Sequence, residues 1–182
     1  MYAIAWSGGK DSTLALDRAR RQGLDVRVLV NLYEGSSGRV RFHGIPAELV
    51  RAQARALGLD CLQAHTHPDD FETVFLRALD ALRARGVRGI VFGNIHLADV
   101  RAWYEERTTA RGFEHVEPLW GEPPGALVRE FIARGHRARI VSVDLAQGRR
   151  EWLGRELDAE LVAEFEAAGI DVCGERGEYH SF

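Results

Sequence analysis

A chain of 182 residues, 46% of them apolar, can bury one sizeable core, so a single compact unit or a domain with a modest appendage is expected. Its formal charge of -3 supplies no overall basic field of the kind that grips a phosphate backbone, which counts against a nucleic-acid partner. The two cysteines, Cys61 and Cys173, form no Cys-x-x-Cys pair and fit a reducing cytoplasm, and no basic leader or run of roughly 18 apolar residues marks a secretory segment or a membrane span.

Short β-branched or apolar runs alternate with stretches of helical period, the pattern of an α/β fold with a parallel sheet flanked by helices. Tyr2 to Trp6 reads as the first strand. Asp11 to Gln22 is the first helix, with Leu14, Ala15 and Ala19 facing inward and Gly23 ending it. Val26 to Leu32 is a strongly apolar strand, followed by a Gly-, Ser- and Arg-rich loop from Glu34 to Gly44 expected to be mobile. A helix from Ile45 to Leu57, a strand from Cys61 to His65 and a helix opened by the Asp69-Asp70 pair and running to Arg85 come next, and Val87 to Phe92 is the fourth strand. Leu97 to Arg111 is helical, Glu114 to Pro118 is a short strand and Gly125 to Arg134 is another helix. Ala138 to Asp144 is an apolar strand and Ala159 to Ala168 the last helix. The Pro/Gly cluster from Pro118 to Gly125 is the expected boundary between a core of residues 1–118 and a smaller α+β portion of residues 119–182.

Between the first strand and the first helix runs Ser7-Gly8-Gly9-Lys10-Asp11-Ser12, at the carboxyl edge of the sheet where open α/β folds bind ligands. Gly8 and Gly9 let the backbone turn sharply and bring its N-H groups to an anion, and the helix start adds unpaired donors and positive dipole. Ser7 and Ser12 add hydroxyls and Lys10 adds a full charge. Of 24 basic residues 23 are arginine, yet the loop holds the single lysine, whose compact ammonium reaches between phosphate oxygens where a planar fork does not fit. The Walker A pattern needs Gly and Ser or Thr where this chain has Ile4 and Asp11, and no third glycine completes a Rossmann fingerprint. An acidic side chain inside a phosphate loop calls for an intervening cation, which makes Asp11 a candidate Mg²⁺ ligand.

The tail from Cys173 to Phe182 gathers Glu175, Glu178, Tyr179, His180 and two glycines within ten residues. Two carboxylates can orient an amine or share a metal, and an imidazole can move a proton near neutral pH.

The Ser7–Ser12 loop resembles the PP-loop of N-type ATP pyrophosphatases, and Glu175-x-Gly177-Glu178-Tyr179-His180-Ser181 resembles the C-terminal signature of the diphthine-ammonia ligase family. Pro118-Leu119-Trp120, Trp152-Leu153-Gly154-Arg155 and Asp171-x-Cys173-Gly174 extend the similarity over essentially the whole chain. The resemblance implies an adenine-nucleotide α-hydrolase fold of Rossmann-like type. It further implies that Ser7, Gly8, Gly9, Lys10, Asp11 and Ser12 hold the phosphates that leave as pyrophosphate. Where family members often have Gly-Asp-Ile or Gly-Ala-Ile, this chain has Gly93-Asn94-Ile95, so Asn94 is expected at the nucleotide and specificity is expected to differ.

The resulting expectation is an ATP- and Mg²⁺-dependent amide ligase. Residues 1–118 bind ATP, residues 119–182 bind a carboxylate acceptor, either a small molecule or a modified translation factor, and free ammonia supplies nitrogen. Lys10, Asp11, Glu175, Glu178 and His180 are the expected catalytic set, and a homodimer is compatible with the chain. Two rivals are a tRNA-modifying PP-loop enzyme, opposed by the acidic balance and the absence of paired cysteines, and a non-catalytic ATP-binding regulator, which would not need the terminal Glu-Glu-His set. His65-x-His67 lacks an evident third metal ligand, and Trp103 and Tyr104 are expected to pack against the sheet or a partner.

Overall fold

The computed structural model describes residues 1–182. Strand β1 (Tyr2–Ala5) leads through the glycine loop into helix α1 (Lys10–Arg21), and β2 (Val26–Glu34) follows. Then come β3 (Arg39–Val40), α2 (Ala47–Leu57), β4 (Asp60–Thr66), α3 (Phe71–Ala84) and β5 (Gly89–Val91). Helix α4 (Ala98–Thr109), β6 (Glu114–Val116), α5 (Pro124–Ala133), β7 (Ile140–Val143), α6 (Ala159–Ala168) and β8 (Tyr179–Ser181) complete the chain. No helix is long and apolar enough to cross a membrane.

Five strands form a parallel sheet in the order β4-β2-β1-β5-β6, and β3 lies antiparallel against the end of β2. From β1 the chain builds outward through β2 and β4, then returns to the other side of β1 for β5 and β6. The strand order therefore reverses between β1 and β5, and the crevice at their carboxyl ends is where such sheets take ligands. The fold is α/β, as the alternation of elements predicts.

Alternation along β1 divides the interior into two layers. Tyr2 and Ile4 join Leu14, Val50, Leu127, Phe131, Trp152, Phe165 and Tyr179 in one core. Ala3 faces the other way, with Val28, Phe75, Leu79, Ile90 and Phe92 beneath α3 and α4. The larger core thus draws on both ends of the chain. Arg18 of α1 strengthens that junction, reaching Glu122 at 2.5 Å and also pairing with Glu130 of α5.

Beyond α5 the chain forms a two-stranded antiparallel sheet of β7 and β8, in which Ser142 pairs with His180 and Val143 with Tyr179. Asp158 caps α6 by accepting the Leu161 N-H at 2.8 Å. Two short strands escape a reading of local pattern: β3 has two residues and pairs in a tight hairpin with the end of β2, and β8 has three and exists only because the distant β7 pairs with it.

Candidate active site

Gly8 adopts a φ of +91°, the left-handed region that glycine enters without cost, and this bend turns the chain from β1 into α1. The N-H groups of Gly8, Asp11 and Ser12 make no hydrogen bond to the rest of the chain, so the start of α1 presents free donors at the crevice. The serine hydroxyls are used locally: Ser7 Oγ accepts the Gly9 N-H at 3.4 Å and Ser12 Oγ donates to the Gly9 carbonyl at 3.0 Å. Gln53 on α2 braces the loop, accepting from Trp6 Nε1 at 2.8 Å and donating to the Gly8 carbonyl at 3.2 Å. Asn31 on β2 donates to the Trp6 carbonyl at 2.8 Å. Both braces are polar side chains on regular elements, and the sequence singles out neither.

The tail folds onto this loop. Lys10 N-H donates to Ser181 Oγ at 3.2 Å, and Lys10 Nζ donates to Asp11 Oδ2 at 2.8 Å and to the Cys173 carbonyl. The same ammonium stands 5.1 Å from the centre of the Tyr179 ring. A Cβ on Gly8 would lie 3.0 Å from a ring carbon of Phe182, and one on Gly9 would lie 3.0 Å from the Ser181 carbonyl oxygen. Burial works against the charge of Lys10, but the neighbouring Asp11 carboxylate overcomes it and holds the ammonium well above its ordinary range. Burial pushes the Cys173 thiol up, so this cysteine is a poor nucleophile.

Within the tail the three expected catalytic side chains meet different surroundings. Glu175 is driven up to about 7, first by burial and then by the Asp11 charge, with Lys10 and the Ile95 N-H pulling the other way. It therefore faces the loop and the strand-end segment after β5 together. Glu178 is 3% exposed and turns toward its own segment, accepting the Asp171 N-H at 3.2 Å and the Arg176 N-H at 3.0 Å. His180 is brought down to about 4, chiefly by burial, then by His43 and Lys10.

The segment after β5 closes the far side. A Cβ on Gly93 would stand 3.0 Å from the carbonyl carbon of Asp11 and 3.1 Å from Ser12 N, so this backbone lies directly against the start of α1. His96 Nε2 pairs with Asp171 at 3.2 Å, linking the segment to the tail. Asn94 Nδ2 donates to Glu117 Oε1 at 2.6 Å, and Glu117 also meets His115 Nε2 at 2.9 Å and Arg101 at 3.2 Å. Asn94 is thus engaged by a buried carboxylate that the sequence did not single out. On the same edge of the sheet a cavity of about 640 Å³ opens between α3 and α4, bordered by Phe71, Trp103 and Tyr104 with Asp69 and Asp99.

One neighbour of the loop was missed outright. His43, from the segment expected to be mobile, lies with Cε1 2.9 Å from the place of a Gly9 Cβ and with Nδ1 2.9 Å from the Ser181 carbonyl. The signal available was a histidine flanked by glycine in a loop at the sheet's carboxyl edge. No group of three or more His, Cys, Asp or Glu side chains is assembled as a metal site, and His65 and His67 remain exposed.

Residues 1–114 match the family model described as diphthamide synthase N-terminal domain, and residues 123–182 match the diphthamide synthase C-terminal domain. The chain belongs to the diphthamide synthase family. A human relative, diphthine–ammonia ligase, is 29% identical over 202 residues, an alignment that covers 97% of this chain and 75% of the human protein. In this member of the diphthamide synthase family the Ser7–Ser12 loop and the Cys173–Phe182 tail, although far apart in sequence, pack against each other.

Proposed function

We propose that this chain is an ATP-dependent ligase that adenylates a carboxylate acceptor and joins it to ammonia, with AMP and pyrophosphate as products. The observation that carries the reading is the docking of the Glu175-bearing tail on the Ser7–Ser12 loop, which joins a phosphate-binding element to a carboxylate poised near neutrality. The name of the human relative, diphthine–ammonia ligase, supports the same chemistry. Residues 1–118 serve the nucleotide and 119–182 complete the acceptor side.

The free N-H groups of Gly8, Asp11 and Ser12 suit phosphate oxygens. Asp11, a carboxylate at the mouth of that cradle, is the residue that would hold Mg²⁺. When bound, the cation neutralises charge on the departing pyrophosphate. An acceptor carboxylate oxygen attacks the α-phosphorus, the bond to the β-phosphate oxygen breaks and pyrophosphate leaves. Ammonia then displaces AMP from the acyl-adenylate. Lys10 keeps the tail on the loop, Glu175 orients the incoming groups, Glu178 holds the turn that presents Glu175, and His180 walls the site. Asn94, fixed by Glu117, borders the nucleotide, and the cavity between α3 and α4 gives the acceptor room. A cytoplasmic setting fits these reactants.

The test is acceptor-dependent release of pyrophosphate and AMP from Mg-ATP with ammonium present, using diphthine-bearing translation factor and a panel of carboxylic-acid metabolites. Both products are expected with one acceptor and are lost in Asp11→Ala. Tight ATP binding with no product for any acceptor would overturn the ligase reading in favour of a nucleotide-binding regulator.

A further inference from the structure

The carbonyl oxygen of Ser181 can only accept a hydrogen bond. Nδ1 of His43, 2.9 Å away, must therefore carry the ring's proton, and Nε2 is left as a lone pair. Nε2 has no hydrogen-bond partner within the chain, although the ring edge beside it packs against Gly9 of the phosphate loop.

The ring is held there from several directions. Phe42 takes a left-handed φ of +66°, which a phenylalanine rarely adopts, and stacks on His180 with ring centres 5.9 Å apart. The Arg41 guanidinium lies 5.5 Å over the Phe71 ring, and the His43 and His180 rings are 4.9 Å apart. Three consecutive loop side chains are thus fastened to α3, to the tail and to the phosphate loop.

A lone pair beside a phosphate loop is badly matched to a phosphate oxygen, which is itself an acceptor. It suits a ligand that brings N-H or O-H bonds. In the amide-ligase reading, on which this inference rests, the reactant that must shed a proton is ammonia. We propose that His43 is the catalytic residue that receives that proton through Nε2. The ammonia lone pair forms the C-N bond to the activated carboxyl carbon, and the C-O bond to AMP breaks as the tetrahedral centre collapses. AMP leaves with that electron pair, one N-H proton passes to Nε2, and the imidazolium releases it to solvent.

The groups facing His43 are Lys10 and Asp11 from α1 and His180 from β8. Burial lowers the pKa of His43 below its ordinary value. The Ser181 carbonyl and Asp11 work the other way and Lys10 reinforces the lowering, so the ring is neutral at pH 7.

The test follows pyrophosphate and amide separately, with Mg-ATP, ammonium chloride and diphthine-bearing translation factor, in wild type, His43→Gln and His43→Ala. In both variants the first-turnover burst of pyrophosphate should survive while amide formation falls about 100-fold, the scale of a lost general base. Hydroxylamine, a nitrogen nucleophile already neutral at pH 7 and readily deprotonated, should recover most of the acyl transfer. The inference is overturned if pyrophosphate and amide fall together and hydroxylamine fares no better, or if the variants raise only the KM for ATP, which would make Nε2 a ligand of a nucleotide hydroxyl or amine. Nitrogen-15 NMR of the imidazoles gives an acceptor-independent check: a proton on Nε2 of His43 in the free enzyme would equally overturn it. Wild type that yields neither product would instead sink the ligase reading, and this proposal with it.

Discussion

Glu178 offers a direct way to separate a structural carboxylate from a chemical one. Its side chain is buried, and each oxygen accepts one backbone N-H, from Asp171 at 3.2 Å and from Arg176 at 3.0 Å. Hydrogen bonds to a charged group contribute roughly 1.5–3 kcal/mol each, and an orphaned buried donor costs about 1–3 kcal/mol. Glu178→Ala, which strands both donors, should therefore destabilise by about 3–5 kcal/mol. Glu178→Gln keeps one acceptor oxygen and turns an amide N-H₂ toward the other donor, for a cost of about 2 kcal/mol. For a chain of this length that smaller loss lowers Tm by about 4–8 °C. Urea unfolding followed by tryptophan fluorescence reads both values, with the midpoint falling and the slope unchanged. If both variants unfold within about 0.5 kcal/mol of wild type and yet lose activity, the carboxylate acts in the chemistry and the geometric argument is refuted.

Two further outcomes follow from neighbouring residues. His180 has a folded-state pKa of about 4 against an ordinary 6.5, so its contribution to stability is present above pH 6.5 and is lost as pH falls from 6.5 toward 4. His180→Asn should flatten the dependence of unfolding free energy on pH between 7.5 and 4.5, and an unchanged slope would contradict the assignment. Gly93→Ala drives a Cβ to within 3.0 Å of the Asp11 backbone, so α1 must shift from β5. A cost of about 1–3 kcal/mol and an ATP affinity weakened about tenfold are expected, and calorimetric titration showing wild-type binding would count against the close approach.

The parallel sheet was legible because its signals are local. Leu14, Ala15 and Ala19 at helical spacing, and the apolar run of β2, need no distant partner to be read. The turn from β1 into α1 was equally plain, since glycines, a lone lysine and a helix start fall within six residues. What surrounds the loop was hidden. Gln53 and Asn31 belong to no motif, and only the fold brings them to Trp6 and Gly8. The Glu34–Gly44 segment has the composition of a mobile loop, yet it carries β3 and is tied down by His43 on Ser181 and Arg41 on Phe71. Those ties span long stretches of sequence, and composition cannot report them. Glu178 illustrates the reverse difficulty: its setting in a glutamate- and histidine-rich motif suggests chemistry, while the geometry shows its oxygens spent on backbone donors.

The bond from Lys10 to the Cys173 carbonyl joins residues 163 positions apart. During synthesis the Ser7–Ser12 loop leaves the ribosome well before its counterpart, because Cys173 follows Lys10 by 163 positions. Until then Lys10 has no carbonyl to hold and the loop has no Ser181 to receive its N-H. A nascent chain therefore carries the loop before it carries the tail that packs on it, and their meeting is slowed by the long stretch of chain that must close to bring Lys10 to Cys173.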